Sequence, residues 1–443
     1  MLTEINIDAL VGPTHHYGGL GVGNIASQEH AYRESNPRAA ALEGLEKASL
    51  LASLGVPQFI FLPPRRPRLQ WLQQLGFEGP LPEQLQAALQ TAPHILSAAF
   101  SSAFMWAANS ATVSAATDTR DGRPHATPAN LLSSWHRGGE AQERTNSLRS
   151  LLAPSGGRVH SPLPSIVPLR DEGAANHMRL CDRSGRPGLN VFVYGDAGES
   201  PRSLAGFFPR QTRAACEAIA RQHQLSPETT FFLAQHPQAI AAGVFHNDVI
   251  ATSHEHLLLY HELAFLDAEP ELQRLQQTFE KTMGKPLLRI EVSQRELPLP
   301  DAVRSYLFNS QIVTPGRAPA GSQSPQMAWV CPAQCRRIEA ARQVIERLLN
   351  DPSIPLEQVH YISLDQSMAG GGGPACLRLR LPLASTDIAA LPLRLDDALE
   401  QRLREAIERW YPTRLHLADF GDSQQVEALL AIPDQLQRLA RAN

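Results

Sequence analysis

Along this chain the hydrophobic pattern switches repeatedly between strict alternation and helical spacing, as expected for strands interleaved with helices. Ile5 to Val11, Gln58 to Leu62, Met105 to Ser114, Leu189 to Tyr194, Phe231 to Ala234 and Gly243 to Thr252 read as strands. Further strands are expected over 287–293, 306–313, 326–330 and 361–364. A last one follows Cys376, where Leu377, Leu379 and Leu381 alternate with Arg378 and Arg380. Asn36-Pro37 sets a capping amide before a proline at the first helical position, and Leu42, Leu45 and Leu54 carry the stripe to Gly55. Pro82 to Thr91, Arg210 to Gln224, 269–283, 396–409 and 424–441 read as helices. Ala333 to Leu349 reads as one long amphipathic helix with Ile338, Ala341, Ile345 and Leu348 in register. Residues 118–130, 138–165 and 314–326 read as loops. No composition break divides the chain, so a single α/β domain over 1–443 is expected.

Several runs do not fit the role of core elements. Polar groups sit among small residues at 12–24, 105–114, 171–177, 243–248 and 367–376, as in loops or strand ends that converge on one centre. The last run carries four glycines, Gly370 to Gly373, then Pro374, Ala375 and Cys376. Glycine bares the backbone there and lets other groups approach. Cys376 falls on the arginine face of the expected strand, away from the leucines, which suits a nucleophile better than a core filler. In Gly243-Val-Phe-His-Asn-Asp-Val-Ile250, a strand would turn His246 and Asp248 to one face. Glu172 offers a second acid. A cysteine, a histidine and acids far apart in sequence are the usual components of a thiol hydrolase, and the acids would suit a cationic substrate.

Composition narrows the classes. The chain has 443 residues, 43% hydrophobic and 19% charged, with a net charge of −4. Mixed signs argue against nucleic acid or an anionic membrane as partner. No apolar run is long enough to span a bilayer, and the acidic, alternating N-terminus does not resemble an export signal, so a cytoplasmic protein is expected. Five cysteines at irregular spacing imply reduced thiols. Cys331 and Cys335 form a lone C-x3-C pair, and His254, His256 and His261 lack a completing ligand. Neither makes a persuasive metal site.

The runs Thr14-His-His-Tyr-Gly-Gly-Leu, Met105-Trp-Ala-Ala-Asn-Ser-Ala-Thr, Asp171-Glu-Gly-Ala-Ala-Asn-His, Gly243-Val-Phe-His-Asn-Asp-Val and Gly371-Gly-Gly-Pro-Ala-Cys-Leu-Arg-Leu-Arg resemble the N-succinylarginine dihydrolases, in that family's order. The resemblance implies a five-bladed α/β propeller (the pentein fold of guanidine-modifying enzymes), acting on N2-succinyl-L-arginine without cofactor, as a homodimer. It implies Cys376 as nucleophile, His246 as general acid and base, and Glu172 as third catalytic member. Substrate contacts are implied for Gly18, Gly19, Leu20, Gly21, Val22, Gly23, Asn24, Ile25, Ala26 and Ser27. Asn109, His136, Arg137, Arg210, Asp248 and position 370 complete the implied set. There this chain has Gly370 where the family is expected to carry Asn. Glu172 and Asp248 would face the guanidinium, and His136, Arg137 and Arg210 the carboxylates. An amidinotransferase or deiminase of the same superfamily, or a non-catalytic binder of arginine derivatives, are the competing readings.

Overall fold

The computed structural model describes residues 2–21, 23–182, 186–198, 207–316 and 326–441. Among them the strands form five three-stranded sheets with one shared topology. In the first, β1 (Leu2–Ala9) lies between β2 (Gln58–Phe61), parallel to it, and an antiparallel strand from the far end of the chain, Arg378–Ala384. The second contains β3 (Ala111–Ser114), β4 (His125–Pro128) and β5 (Arg158–Val159). The third contains β6 (His177–Leu180), β7 (Leu189–Tyr194) and β8 (Thr230–Ala234). The fourth contains β9 (Ala251–His254), β10 (Leu257–His261) and β11 (Leu288–Val292). The fifth contains β12 (Gln311–Val313), β13 (Met327–Pro332) and β14 (Leu356–Ile362), which makes Arg378–Ala384 strand β15.

In each sheet the first strand runs antiparallel to the middle one, and the middle runs parallel to the third. A parallel pair needs a crossover, and each is helical. The five helices are α1 (Pro37–Ser53), α2 (Ala141–Leu152), α3 (Arg213–Gln222), α4 (Glu269–Met283) and α5 (Glu339–Asn350). Each buries one stripe. In α4 it is Leu272, Leu275, Phe279 and Met283, at helical spacing. The Asn36 carboxamide caps α1 by accepting from the Ala39 N–H at 2.9 Å. The closing helices, Asp397–Trp410 and Ser423–Arg441, add Leu403, Ile407, Leu429 and Leu436 to the core under α1. No helix among the described residues is long and apolar enough to cross a membrane.

The structure departs from the sequence reading where polar residues interrupt an apolar run. Met105 to Ser114 is not one strand. A 3-10 turn at Ala107–Asn109 precedes β3. Gly243 to Thr252 likewise breaks into a 3-10 turn, Asn247–Val249, before β9. Only Gln311–Val313 of 306–313 is strand, because Tyr306 takes a left-handed φ of 53° and turns the chain. The expected loop 138–165 contains α2 and β5, and the expected helix 333–349 breaks at Ile338, which is extended. Arg210 precedes α3 rather than starting it. Of the expected loop 314–326, residues 317–325 lie outside the described set.

Candidate active site

The turns that precede the first strands converge, and they carry the chemistry. Cys376 does not lie on β15. Its N–H reaches the Gly373 carbonyl at 3.1 Å in a turn, and the strand begins at Arg378. The alternation beyond it is as read: Leu379, Leu381 and Leu383 are buried on one face. The glycines before Cys376 have separate reasons. The stretch through Gly370 is helical, Asp365–Gly370, not a free loop. Gly371 has φ +99°, and a Cβ there would overlap the Asn24 carboxamide. A Cβ on Gly372 would overlap the Trp106 ring, and one on Gly373 would stand 2.8 Å from Asn309 Oδ1. Gly370 is the least confined of the four: a Cβ there would meet the Trp106 ring at 3.3 Å, a tight contact that the ring must relieve by a small shift.

Asn309 was not singled out from the sequence, yet it fixes the thiol. Its Nδ2 donates to Cys376 Sγ at 3.2 Å and to the Asp248 carbonyl at 3.3 Å, and its Oδ1 accepts from the Cys376 N–H at 3.3 Å. The only signal was a polar pair, Asn309-Ser310, inside an apolar run. Cys376 Sγ also donates toward Asp248 Oδ2 at 3.6 Å. Burial, then the Asp248 charge, pushes the thiol well above its ordinary range. Burial likewise pushes Asp248 up to about 7, against the hydrogen bonds from Cys376 and Asn309. Asp248 Oδ1 is buried without a partner among the described residues.

His246 and Asp248 do not stand side by side on a strand. The 3-10 turn that starts after His246 and contains Asp248 sends Asp248 to the thiol and leaves His246 to Glu172, whose Oε2 lies 2.8 Å from His246 Nε2. The same Oε2 holds Arg137 Nη2 at 2.8 Å, with Arg210 Nη1 at 4.0 Å, and Ser133 donates its hydroxyl to Oε1. Burial alone would raise the Glu172 carboxyl, but Arg137, then His246 and Arg210, reverse this and hold it well below the usual carboxylate range. An ionised carboxylate only accepts, so His246 Nε2 carries the proton. Nδ1 is then the basic nitrogen, and it has no partner among the described residues. Burial, opposed by Glu172, lowers His246 to about 4, so the ring is neutral near pH 7.

One cleft collects most of the expected residues. Gly18, Gly19, Leu20, Gly21, Asn24 and Ser27 line it, with Asn109, His136, Arg137, Arg210, His246, Gly370 and Cys376. Gly23, Ile25 and Ala26 do not line it, Ile25 being half exposed instead, and Val22 lies outside the described residues. Asn24 caps the short helix Ile25–Glu29 and donates to the Gly371 carbonyl at 3.0 Å, which ties the glycine loop to the nucleophile's approach. Glu172 and Asp248 stand behind the lining. Glu172 is engaged by Arg137 and His246. Asn109 spends its Nδ2 on the Glu172 carbonyl at 2.8 Å, and the Arg210 guanidinium lies 4.8 Å from the Phe245 ring centre. Two of the histidines weighed for metal are otherwise engaged, His254 with Thr314 at 2.9 Å and His261 with the Leu297 carbonyl at 2.9 Å.

The chain has relatives. The succinylarginine dihydrolase family model matches residues 1–442. An N-succinylarginine dihydrolase of Legionella pneumophila (strain Lens) is 41% identical over 445 residues, covering 99% of this chain and 97% of the relative. That of Nitrosospira multiformis is 43% identical over 441 residues, covering 98% and 96%. The crystal structure of the substrate-bound N-terminal domain of ArgZ, a cyanobacterial arginine dihydrolase, has a similar fold. Its TM-score is 0.50 at 15% identity, over 85% of this chain and 97% of that one. On its whole-length match, the chain belongs to the succinylarginine dihydrolase family.

Proposed function

We propose that this chain hydrolyses N2-succinyl-L-arginine through a covalent thiol intermediate, releasing two ammonia molecules, carbon dioxide and N2-succinyl-L-ornithine. We further read the five like sheets as blades of one α/β propeller and one catalytic domain. The pairing of β15 with β1 joins the two ends of the chain, and the turns before the first strands meet at the cleft.

The observation that carries the mechanism is the commitment of His246. With Nε2–H held by Glu172, its free Nδ1 and the Cys376 thiol share one cleft. The guanidinium docks beside Cys376, where the Asp248 carboxylate behind the thiol attracts it, Oδ1 having no partner among the described residues. That cation offsets the Asp248 charge that disfavours the thiolate. His246 Nδ1 takes the thiol proton, Sγ attacks the guanidinium carbon, and His246 returns the proton to the departing ammonia. His246 then takes a proton from water, whose oxygen attacks the same carbon, and the C–S bond breaks to free the thiol. The ureido product undergoes a second round, which releases ammonia and carbon dioxide. Arg137 and Arg210 bring two positive charges to the cleft against one from Glu172, and so favour the carboxylates at the other end of the substrate.

Mass analysis of products from N2-succinylarginine, and separately from arginine, tests this. The succinyl substrate should yield succinylornithine with ammonia, and Cys376→Ser should bind it without releasing ammonia. Normal turnover by Cys376→Ser would refute the nucleophile. Equal use of arginine would refute the succinyl preference.

A further inference from the structure

We propose that a second cavity, behind Asp248, binds a small monovalent oxyanion on Arg378, with Arg380 beside it. Glu4, His177, Asn247 and Asp248 share its walls with the two arginines. Asp248 stands between it and the cleft: Asp248 is among the residues that line this cavity, and the thiol bonded to it lines the other.

The two arginines stand two apart on β15 and share a face, opposite the buried leucines. Their circumstances differ. Arg380 donates to the Ser253 carbonyl at 2.8 Å and to its hydroxyl at 3.3 Å, with Glu4 at 4.0 Å. Arg179, on the same wall, is held by Asp118 at 2.6 Å. Arg378 is 8% exposed, and its guanidinium makes no hydrogen bond or ion pair with any described residue, Nε being wholly buried. Glu4, Asp8 and Asp248 act on the guanidinium only at longer range, so its donors stay unused, and burying unused donors is costly; its planar fork matches an oxyanion better than a halide. Burial, then the Arg380 charge, pushes Arg378 down to about 9, which leaves it charged at neutral pH. The cavity holds about 60 Å³, room for an anion the size of bicarbonate or nitrate. Glu4 and Asp248 on its walls oppose a polyvalent one.

Occupancy would reach the cleft through Asp248, a consequence that rests on the thiol-hydrolase reading. The Arg378 charge favours ionised Asp248. An anion on Arg378 cancels that, so Asp248 holds the guanidinium less well and KM rises while kcat changes little.

The test replaces sodium gluconate stepwise by sodium bicarbonate or sodium nitrate at fixed pH and ionic strength, and follows the thermal midpoint and KM. The wild type should show a saturable rise in midpoint, larger than with chloride. Arg378→Gln should lose it, and Arg378→Lys, which keeps charge without the fork, should weaken it. Absence of a saturable rise in the wild type overturns the site, as does an equal rise in Arg378→Gln. Should Arg378→Gln fail to fold, the wild-type series and Arg378→Lys decide: an undiminished rise in Arg378→Lys overturns the fork. A midpoint rise with constant KM keeps the site and overturns only its link to Asp248.

Discussion

Gly371→Ala should cost far more in the wild type than in a protein that lacks the Asn24 side chain. Gly371 has φ +99°, beyond the left-handed helical region, and a side chain there carries strain of about 1–3 kcal/mol. The new methyl also occupies the place of the Asn24 carboxamide. That carboxamide makes two bonds. Its Oδ1 caps the helix Ile25–Glu29 through the Ser27 N–H at 3.1 Å, and its Nδ2 holds the Gly371 carbonyl at 3.0 Å. The cap contributes about 1 kcal/mol. The second bond contributes about 1 kcal/mol more. Asn24→Ala alone should therefore cost about 2 kcal/mol, and Gly371→Ala about 3–5 kcal/mol, since it adds strain to the same two losses. In the double variant those losses are counted once, so it should be about 2 kcal/mol more stable than the sum of the single effects. Urea unfolding gives the three energies. The KM of each variant shows whether the loop leaves the cleft. Additivity within about 0.5 kcal/mol would mean that Asn24 moves aside freely, and the proposed tie between loop and nucleophile would fall.

Three other perturbations separate the roles at the site. Glu172→Gln should lower kcat by roughly 10²–10⁴-fold through the loss of His246 orientation. It should also destabilise the fold by about 3–5 kcal/mol, because Arg137 and Arg210 lose their shared counter-charge, and wild-type kcat would free Glu172 of any part in the reaction. The raised carboxyl of Asp248 is ionised only above about 7, so kcat/KM should rise as pH climbs through that range. The limb belongs to the coupled Asp248–Cys376 pair, and a rising limb near pH 4 instead would assign it to His246. Asn309→Ala should lower kcat by roughly 10²-fold by releasing the thiol. Its alkylation by iodoacetamide should show an altered pH profile, and an unchanged profile would leave Asn309 a purely structural part of its turn.

Where a helix carries a cap and an apolar stripe it was legible, because those signals are local, whereas α2 lay inside an expected loop. Asn36-Pro37 starts α1 as read, and Glu269–Met283 has the expected ends. The strands next to the cleft were misread, because alternation was sought in segments whose polar residues serve a turn. In Gly243 to Thr252 the Asn247 N–H is satisfied by Asn176 Oδ1 at 2.9 Å, a partner seventy-one positions away that no local pattern reveals. The partners of Glu172 were hidden for the same reason. Its residue type marked an acid, but its use depends on Arg137 and His246 arriving from other units. Asn309 had no local signal beyond being polar where apolar residues were expected.

The repeat that the sequence hides explains why those turns hold the chemistry. Glu172 and His246 stand five residues ahead of the first residues of β6 and β9, His177 and Ala251. Asn109, Asn309 and Cys376 each stand two residues ahead of β3, β12 and β15. The backbone of each unit therefore offers the same two outlets toward the centre, and the chain fills them differently: acid and base in one pair of units, amide or thiol in the other three. Because side chains at like outlets need not resemble one another, no sequence repeat survives for inspection, whereas the strand topology does. Asp248 breaks this scheme. It stands three ahead of β9, where the other units carry Ala108, Ala174, Phe308 and Ala375, and so adds a carboxylate where its counterparts have no polar group. The fourth unit thus supplies both the base and the acid that faces the thiol. Asn309 comes from the next unit in chain order, that of β12, and Cys376 from the one after it, that of β15. A substitution at Asp248 should accordingly alter the thiol more than the imidazole, since His246 is held by Glu172 on the opposite side of its own turn.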